Sequence, residues 1–108
     1  MKNDDILSGR RRRPTHPGAI LREIVLPGAG ITQTELAKLI QVGRRTVNEL
    51  CQEKRGISVD MAYRLGGIFA NSPGFWLNLQ QAVDVWDQFQ ARRNEYARIK
   101  PIRAGYQD

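Results

Sequence analysis

Apolar residues recur along this chain at three- and four-residue spacing and never settle into strict alternation, so the pattern predicts helices and no strands. Ile20, Leu21, Ile24 and Val25 mark a first helix over about residues 17–25, with Pro17 suited to its first turn. Pro27-Gly28-Ala29-Gly30 then reads as a loop. Thr32 and Glu35 stand in the register of a capping box, opening a second helix that runs to about Ile40. Its inward residues are expected to be Leu36, Ala37, Leu39 and Ile40. A third helix, about 44–53, follows almost at once and buries Val47, Leu50 and Cys51. Ser58 caps a fourth, with Met61, Ala62, Leu65, Ile68 and Phe69 on its inner face. Ser72-Pro73 opens a fifth that extends past Phe89.

The second and third of these helices are the informative pair. They are joined by Gln41-Val42-Gly43, a turn too short to let them run antiparallel, so they must cross steeply. A steep crossing needs a small residue at the contact, and Ala37 supplies it; Leu36, Ile40, Val42, Val47 and Leu50 supply apolar anchors. The second helix of such a unit projects its N-terminal residues outward. Here these are Arg44, Arg45 and Thr46, with Asn48 and Gln52 further along the same face. Arginine can hold guanine O6 and N7 through two hydrogen bonds, and asparagine or glutamine can do the same for adenine. Two amphipathic helices joined by a short turn also occur in bundles that never meet DNA. The alanine at the crossing and the paired exposed arginines favour a DNA-binding helix-turn-helix.

Charge refines this picture. The 108 residues carry a formal net charge of +6, which suits a polyanion, but Arg10–Arg13 alone supply four of those charges. The body is nearly balanced, so function has to be argued from pattern. The arginine run has two readings, a basic arm reaching into a minor groove or a solvated tail. Beyond Gln90 the chain turns basic again, and Pro101 ends any helix. No apolar run approaches the roughly 20 residues of a membrane span, and Met1–Asp5 carries acids where a secretory signal would be apolar. With a single cysteine excluding an internal disulfide, a cytoplasmic protein is expected.

Catalysis finds little support. His16 is the sole histidine and sits at a helix start beside a proline, where a local hydrogen bond accounts for it. Cys51 lies on an inner helix face and is read as packed, not nucleophilic. With one histidine and one cysteine there is no zinc-ligand set, and no glycine-rich loop follows a strand. Neither an enzyme nor a cofactor is expected.

From His16 to about Gln80 the chain resembles the HigA antitoxins, also called virulence-associated protein I, within the Xre/Cro (lambda-repressor-like) class. The resemblance is carried by His16-Pro17-Gly18 with Leu21, Ile31-Thr32-Gln33, Leu36-Ala37, Val42, Arg44, Thr46-Val47 and Leu50. It continues through Lys54-Arg55-Gly56-Ile57-Ser58, Asp60-Met61-Ala62, Arg64-Leu65, Asn71-Ser72-Pro73 and Phe75-Trp76-Leu77-Asn78-Leu79-Gln80. It implies an all-α, five-helix Xre/Cro domain with a C-terminal dimerisation helix. It also implies a homodimer that binds double-stranded operator DNA, represses its own operon and neutralises a HigB-like mRNA endonuclease toxin. On that basis Arg44, Arg45 and Thr46 fall at the major groove and Lys54 and Arg55 at the phosphate backbone; Asn48, Gln52, Gln33 and Thr34 complete the candidate set. Composition and pattern together give an expected division into a basic arm (1–15), a DNA-binding domain (16–70), a C-terminal helix suited to dimerisation (71–93) and a tail (94–108).

The chain departs from the family pattern in places. Gln41 holds a turn position usually given to glycine, and Gly43 replaces the usual serine or threonine cap of the third helix. Glu49 puts an acid on the recognition helix, where it either accepts from a cytosine amino group or pairs with Arg45 or Lys54; the pair is favoured. Gly66-Gly67 interrupts the fourth helix at about 1 kcal/mol per glycine. The fifth helix carries Trp76, Leu79, Val83, Trp86 and Phe89 as a stripe. Core is its default reading, but with four helices already enclosing a core, part of it is surplus and suits a two-fold interface. Phe75, Trp76, Leu79, Val83 and Trp86 are the expected interface residues. Two further functions remain open: a stand-alone Xre-type repressor without a toxin, and a protein-interaction module that kept the scaffold and lost its DNA.

Overall fold

A computed structural model describes residues 12–102, and within them every regular element is helical. We label the helices α1 (residues 17–29), α2 (Gln33–Ile40), α3 (Arg44–Cys51), α4 (Val59–Phe69) and α5 (Pro73–Ala97). The caps follow the sequence signals. Thr32 Oγ1 accepts from the Glu35 amide at 3.0 Å, and the Glu35 carboxylate accepts from the Thr32 amide at 2.8 Å. Ser58 and Ser72 accept from Met61 and Phe75 in the same way. His16 caps α1, its Nδ1 accepting from the Gly18 amide at 2.9 Å.

α1 runs longer than the pattern predicts. It passes from Pro17–Ile20 through a π turn at Leu21–Val25 into Leu26–Ala29, and ends at Gly30, which takes a left-handed φ of 71°. The expected loop at 27–30 is therefore mostly helix. Proline has no N–H and its ring collides with the carbonyl of an ordinary α turn, but a wider π turn ahead of it gives room. The extra residue in that turn also rotates the inward face. Leu21 and Leu26 are buried, and Ile24 swings out to 62% exposure.

Leu21, Leu26, Leu36, Ala37, Ile40, Val47, Leu50, Ile57, Met61, Ala62, Leu65 and Trp76 form one core. Leu39 and Ile68, expected to face inward, are exposed instead. Helix geometry explains both: α2 buries a face centred on Leu36, Ala37 and Ile40, and Leu39 lies about 100° from its centre. Ile68 sits at the edge of the equivalent face of α4. The α4 glycines divide. A Cβ on Gly66 would lie 2.6 Å from the Asn71 carbonyl oxygen, so the chain turning into α5 requires glycine there. Gly67 faces open space.

α4 and α5 make the most extensive pairing, which positions α5 across the domain. Trp76 is completely buried, with Nε1 donating to Asn71 Oδ1 at 2.8 Å and its ring edge-on to Phe75. Gln80 Oε1 accepts from the Ile57 amide at 2.8 Å, tying α5 to the α3–α4 loop. Beyond Val83, α5 leaves the body and gives the molecule its 53 × 24 × 22 Å shape. It continues helical to Ala97, through a non-helical φ of −133° at Arg92, so residues 94–97 are not part of a tail. Basic residues continue a helix readily, and the influence of Pro101 reaches only the residues just before it. No helix among the described residues is long and apolar enough to cross a membrane.

Candidate nucleic-acid interface

α3 is eight residues long and is held from below and at its end. Val47, Leu50 and Cys51 are buried, which turns Arg44, Arg45, Asn48, Glu49 and Gln52 to the opposite face, with Thr46 half-buried at its margin. The entering turn is set by Gln41, which adopts φ 62°, ψ 47°, with the Val42 amide donating to the Ala37 carbonyl at 3.0 Å. Gln41 thus takes the left-handed conformation that glycine usually provides. Gly43 starts α3 from an extended conformation and offers no side-chain cap. At the far end Arg22 donates to the Cys51 carbonyl, and a Cβ on Gly18 would stand 1.8 Å from the Leu50 carbonyl oxygen. Gly18 is thus where α1 lies directly against the α3 backbone. Arg64 caps α2 similarly, donating to the Ile40 carbonyl at 2.7 Å.

The exposed face has its own polar order. Gln33, Thr34, Arg44, Arg45 and Asn48 line one open depression between the N-terminus of α2 and α3. Asn48 Nδ2 donates to Gln33 Oε1 at 3.1 Å, linking the two helices. Glu49 forms the expected pair with Arg45, at 3.0 Å, and its second partner is Arg55 at 2.8 Å in place of Lys54. Flanked by two guanidiniums, the Glu49 carboxyl is held below the usual carboxylate range, first by Arg55 and then by Arg45. Gln52, Lys54 and Arg55 lie exposed at the end of α3 and in the loop that follows. Sequence reasoning placed the candidate residues on one face but missed the Arg55 contact, which depends on the loop folding back.

Two expectations for the rest of the molecule are corrected. Trp76 and Val83 are 0% and 1% exposed, so within the folded chain they are core and offer no surface to a second copy. Of the expected interface, Phe75, Leu79 and Trp86 keep exposed area. Arg10 and Arg11 lie outside the described residues. Arg13, however, is no free arm: its Nε and Nη2 bind Asp87 of α5 at 2.8 Å each, with Glu53 3.8 Å away. The Cys51 thiol is pushed up by burial, away from the reactive thiolate. Among the described residues no group of His, Cys, Asp or Glu is arranged to hold a metal.

The helix-turn-helix family profile matches residues 21–76. The chain is 42% identical over 93 residues to an uncharacterized HTH-type transcriptional regulator, YbaQ, of Escherichia coli, covering 84% of this chain and 82% of that protein. It is 36% identical over 92 residues to antitoxin HigA-1 of Vibrio cholerae, covering 85% and 87%. The fold matches Pseudomonas aeruginosa antitoxin HigA, solved with the higBA promoter, at a TM-score of 0.79 and 40% identity, over 84% of this chain and all of that one. The chain therefore belongs to the HigA family of Xre-type helix-turn-helix proteins.

Proposed function

We propose that this protein is the DNA-binding antitoxin of a type II toxin–antitoxin module: a homodimer that represses its own operon and neutralises a HigB-type mRNA endonuclease by protein contact. The observation that carries this reading is the α3 face of Arg44, Arg45 and Asn48, bordered by Gln33 and Thr34, on the fold of a HigA solved with promoter DNA. In this reading Arg44, Arg45, Thr46, Asn48 and Gln52 meet the major groove, with Gln33 and Thr34 beside them, while Lys54 and Arg55 approach the backbone. A two-fold arrangement is supplied by α5. Phe75, Leu79, Ala82, Trp86 and Phe89 alternate four- and three-residue steps along one partly exposed side of that helix, the spacing of a helix–helix seam.

Titration of the chain on the DNA upstream of its own gene, at several salt concentrations, tests the repressor half. Arg45→Ala should weaken that binding by about 1–3 kcal/mol and relax one base pair. Lys54→Ala should weaken all duplexes alike and flatten the salt dependence. The antitoxin half is tested in cells. The neighbouring gene expressed alone should arrest growth, and this chain should restore it, even as an Arg44→Ala, Arg45→Ala double variant. A harmless neighbour would leave a stand-alone repressor, a second reading favoured by the 42% identity to a protein described as a transcriptional regulator.

A further inference from the structure

Glu49 is the only acid in α3, and it stands in the middle of the face that meets DNA in the proposed operator-binding reading, on which this inference rests. Its Oε2 accepts from Arg45 Nε at 3.0 Å. Its Oε1 accepts from Arg55 Nε and Nη2 at 3.2 and 2.8 Å. The two contacts differ in what they leave over. Arg55 turns one whole edge of its guanidinium to the carboxylate. Arg45 uses Nε alone, its two terminal nitrogens make no hydrogen bond to the described residues, and its side chain is 89% exposed. A planar guanidinium fixed at Nε presents its terminal pair as a rigid fork, the geometry that matches O6 and N7 of guanine. The same ion pairs compete with DNA phosphates for both arginines, so contact with an arbitrary sequence must first break them.

We infer that Glu49 is the specificity-determining positioning residue of the interface: it aims the Arg45 fork at a guanine and withholds Arg45 and Arg55 from indiscriminate phosphate contact. The carboxylate therefore subtracts from total affinity while adding to discrimination. Its removal should push the two in opposite directions, which loss of a merely structural contact would not do.

The test uses the full chain and two duplexes of equal length, its own upstream DNA and a shuffled version, titrated over a series of salt concentrations. Glu49→Gln should tighten binding to the shuffled duplex and steepen its log–log salt slope by about one to two units, as two cations become available to phosphates. Preference for the upstream duplex should fall by about tenfold. In an Arg45→Ala background the same change should alter preference by less than about twofold, because the effect runs through Arg45. Unchanged preference and slope in Glu49→Gln would overturn the inference. So would a loss of preference that persists without Arg45, which would make Glu49 a reader of cytosine in its own right. Wild-type protein that bound both duplexes equally would overturn the operator-binding reading together with this one.

Discussion

The eight-residue α3 buries three of its residues, Val47, Leu50 and Cys51, whereas the 25-residue α5 buries only two, Trp76 and Val83. α3 is also pinned at both ends, by the left-handed turn at Gln41 and by Arg22 on the Cys51 carbonyl. Past Val83, α5 is tied to the rest of the described chain chiefly through the Arg13–Asp87 pair. In the proposed reading, the difference follows from what each helix has to do. A helix that reads base edges needs one orientation, which requires packing on its whole inner side. A helix that meets another protein chain needs uncovered apolar area, which α5 keeps along Phe75, Leu79, Trp86 and Phe89.

The sharpest way to break this contrast is at Gly18. Gly18→Ala puts a methyl group into the Leu50 carbonyl, where backbone cannot yield as a side chain would. We expect a loss of about 3 kcal/mol or more, read by denaturant unfolding, and weakened DNA binding because α3 itself shifts. On α5 the reverse is expected. Trp86→Glu should leave the fold intact while light scattering reports a monomer, and operator affinity should fall about a hundredfold as the second half-site is lost. A folded Trp86→Glu protein that stayed dimeric would move the interface away from α5.

A smaller effect concerns His16, the buried cap at the start of α1. Burial pushes its imidazole below its ordinary value; Glu53, Asp84 and Asp87 pull the other way, and Arg13 adds to the lowering. The folded protein thus favours neutral histidine. Its contribution to stability is complete above the unfolded value of about 6.5 and is lost as pH falls from there through the lowered folded value. The lowered carboxyls of Asp87 and Glu49 act only in a more acidic range, above which their contribution is complete. Stability against denaturant, measured from neutral pH down to about pH 5, should therefore fall in the wild type. His16→Asn, which can still accept from the Gly18 amide, should lack that slope.

Smallest of all, adjacent glycines in α4 should respond oppositely to alanine. Gly67→Ala adds a methyl in open space and should stabilise by about 1 kcal/mol. Gly66→Ala meets the Asn71 carbonyl and should destabilise. Thermal melts of the two variants decide this, and equal shifts would deny the close passage of the chain into α5.

The sequence by itself determined the number of helices and most of their starts. Thr32, Ser58 and Ser72 act on amides three residues away, so their signal is local and survives any tertiary arrangement. It determined the α2–α3 unit as well, because the short Gln41–Gly43 turn leaves few ways to bury Leu36, Ala37, Val47 and Leu50 together. Tertiary structure alone decided which side of each apolar stripe became core. Trp76 and Leu79 look alike in a periodic pattern; one is covered by Phe69 and the packed face of α4, the other is only partly covered. The π turn belongs here too, since its cue, Pro27, equally signals a break. The Glu49–Arg55 pair depends on a loop folding back six residues on, and periodicity carries no record of where a loop goes.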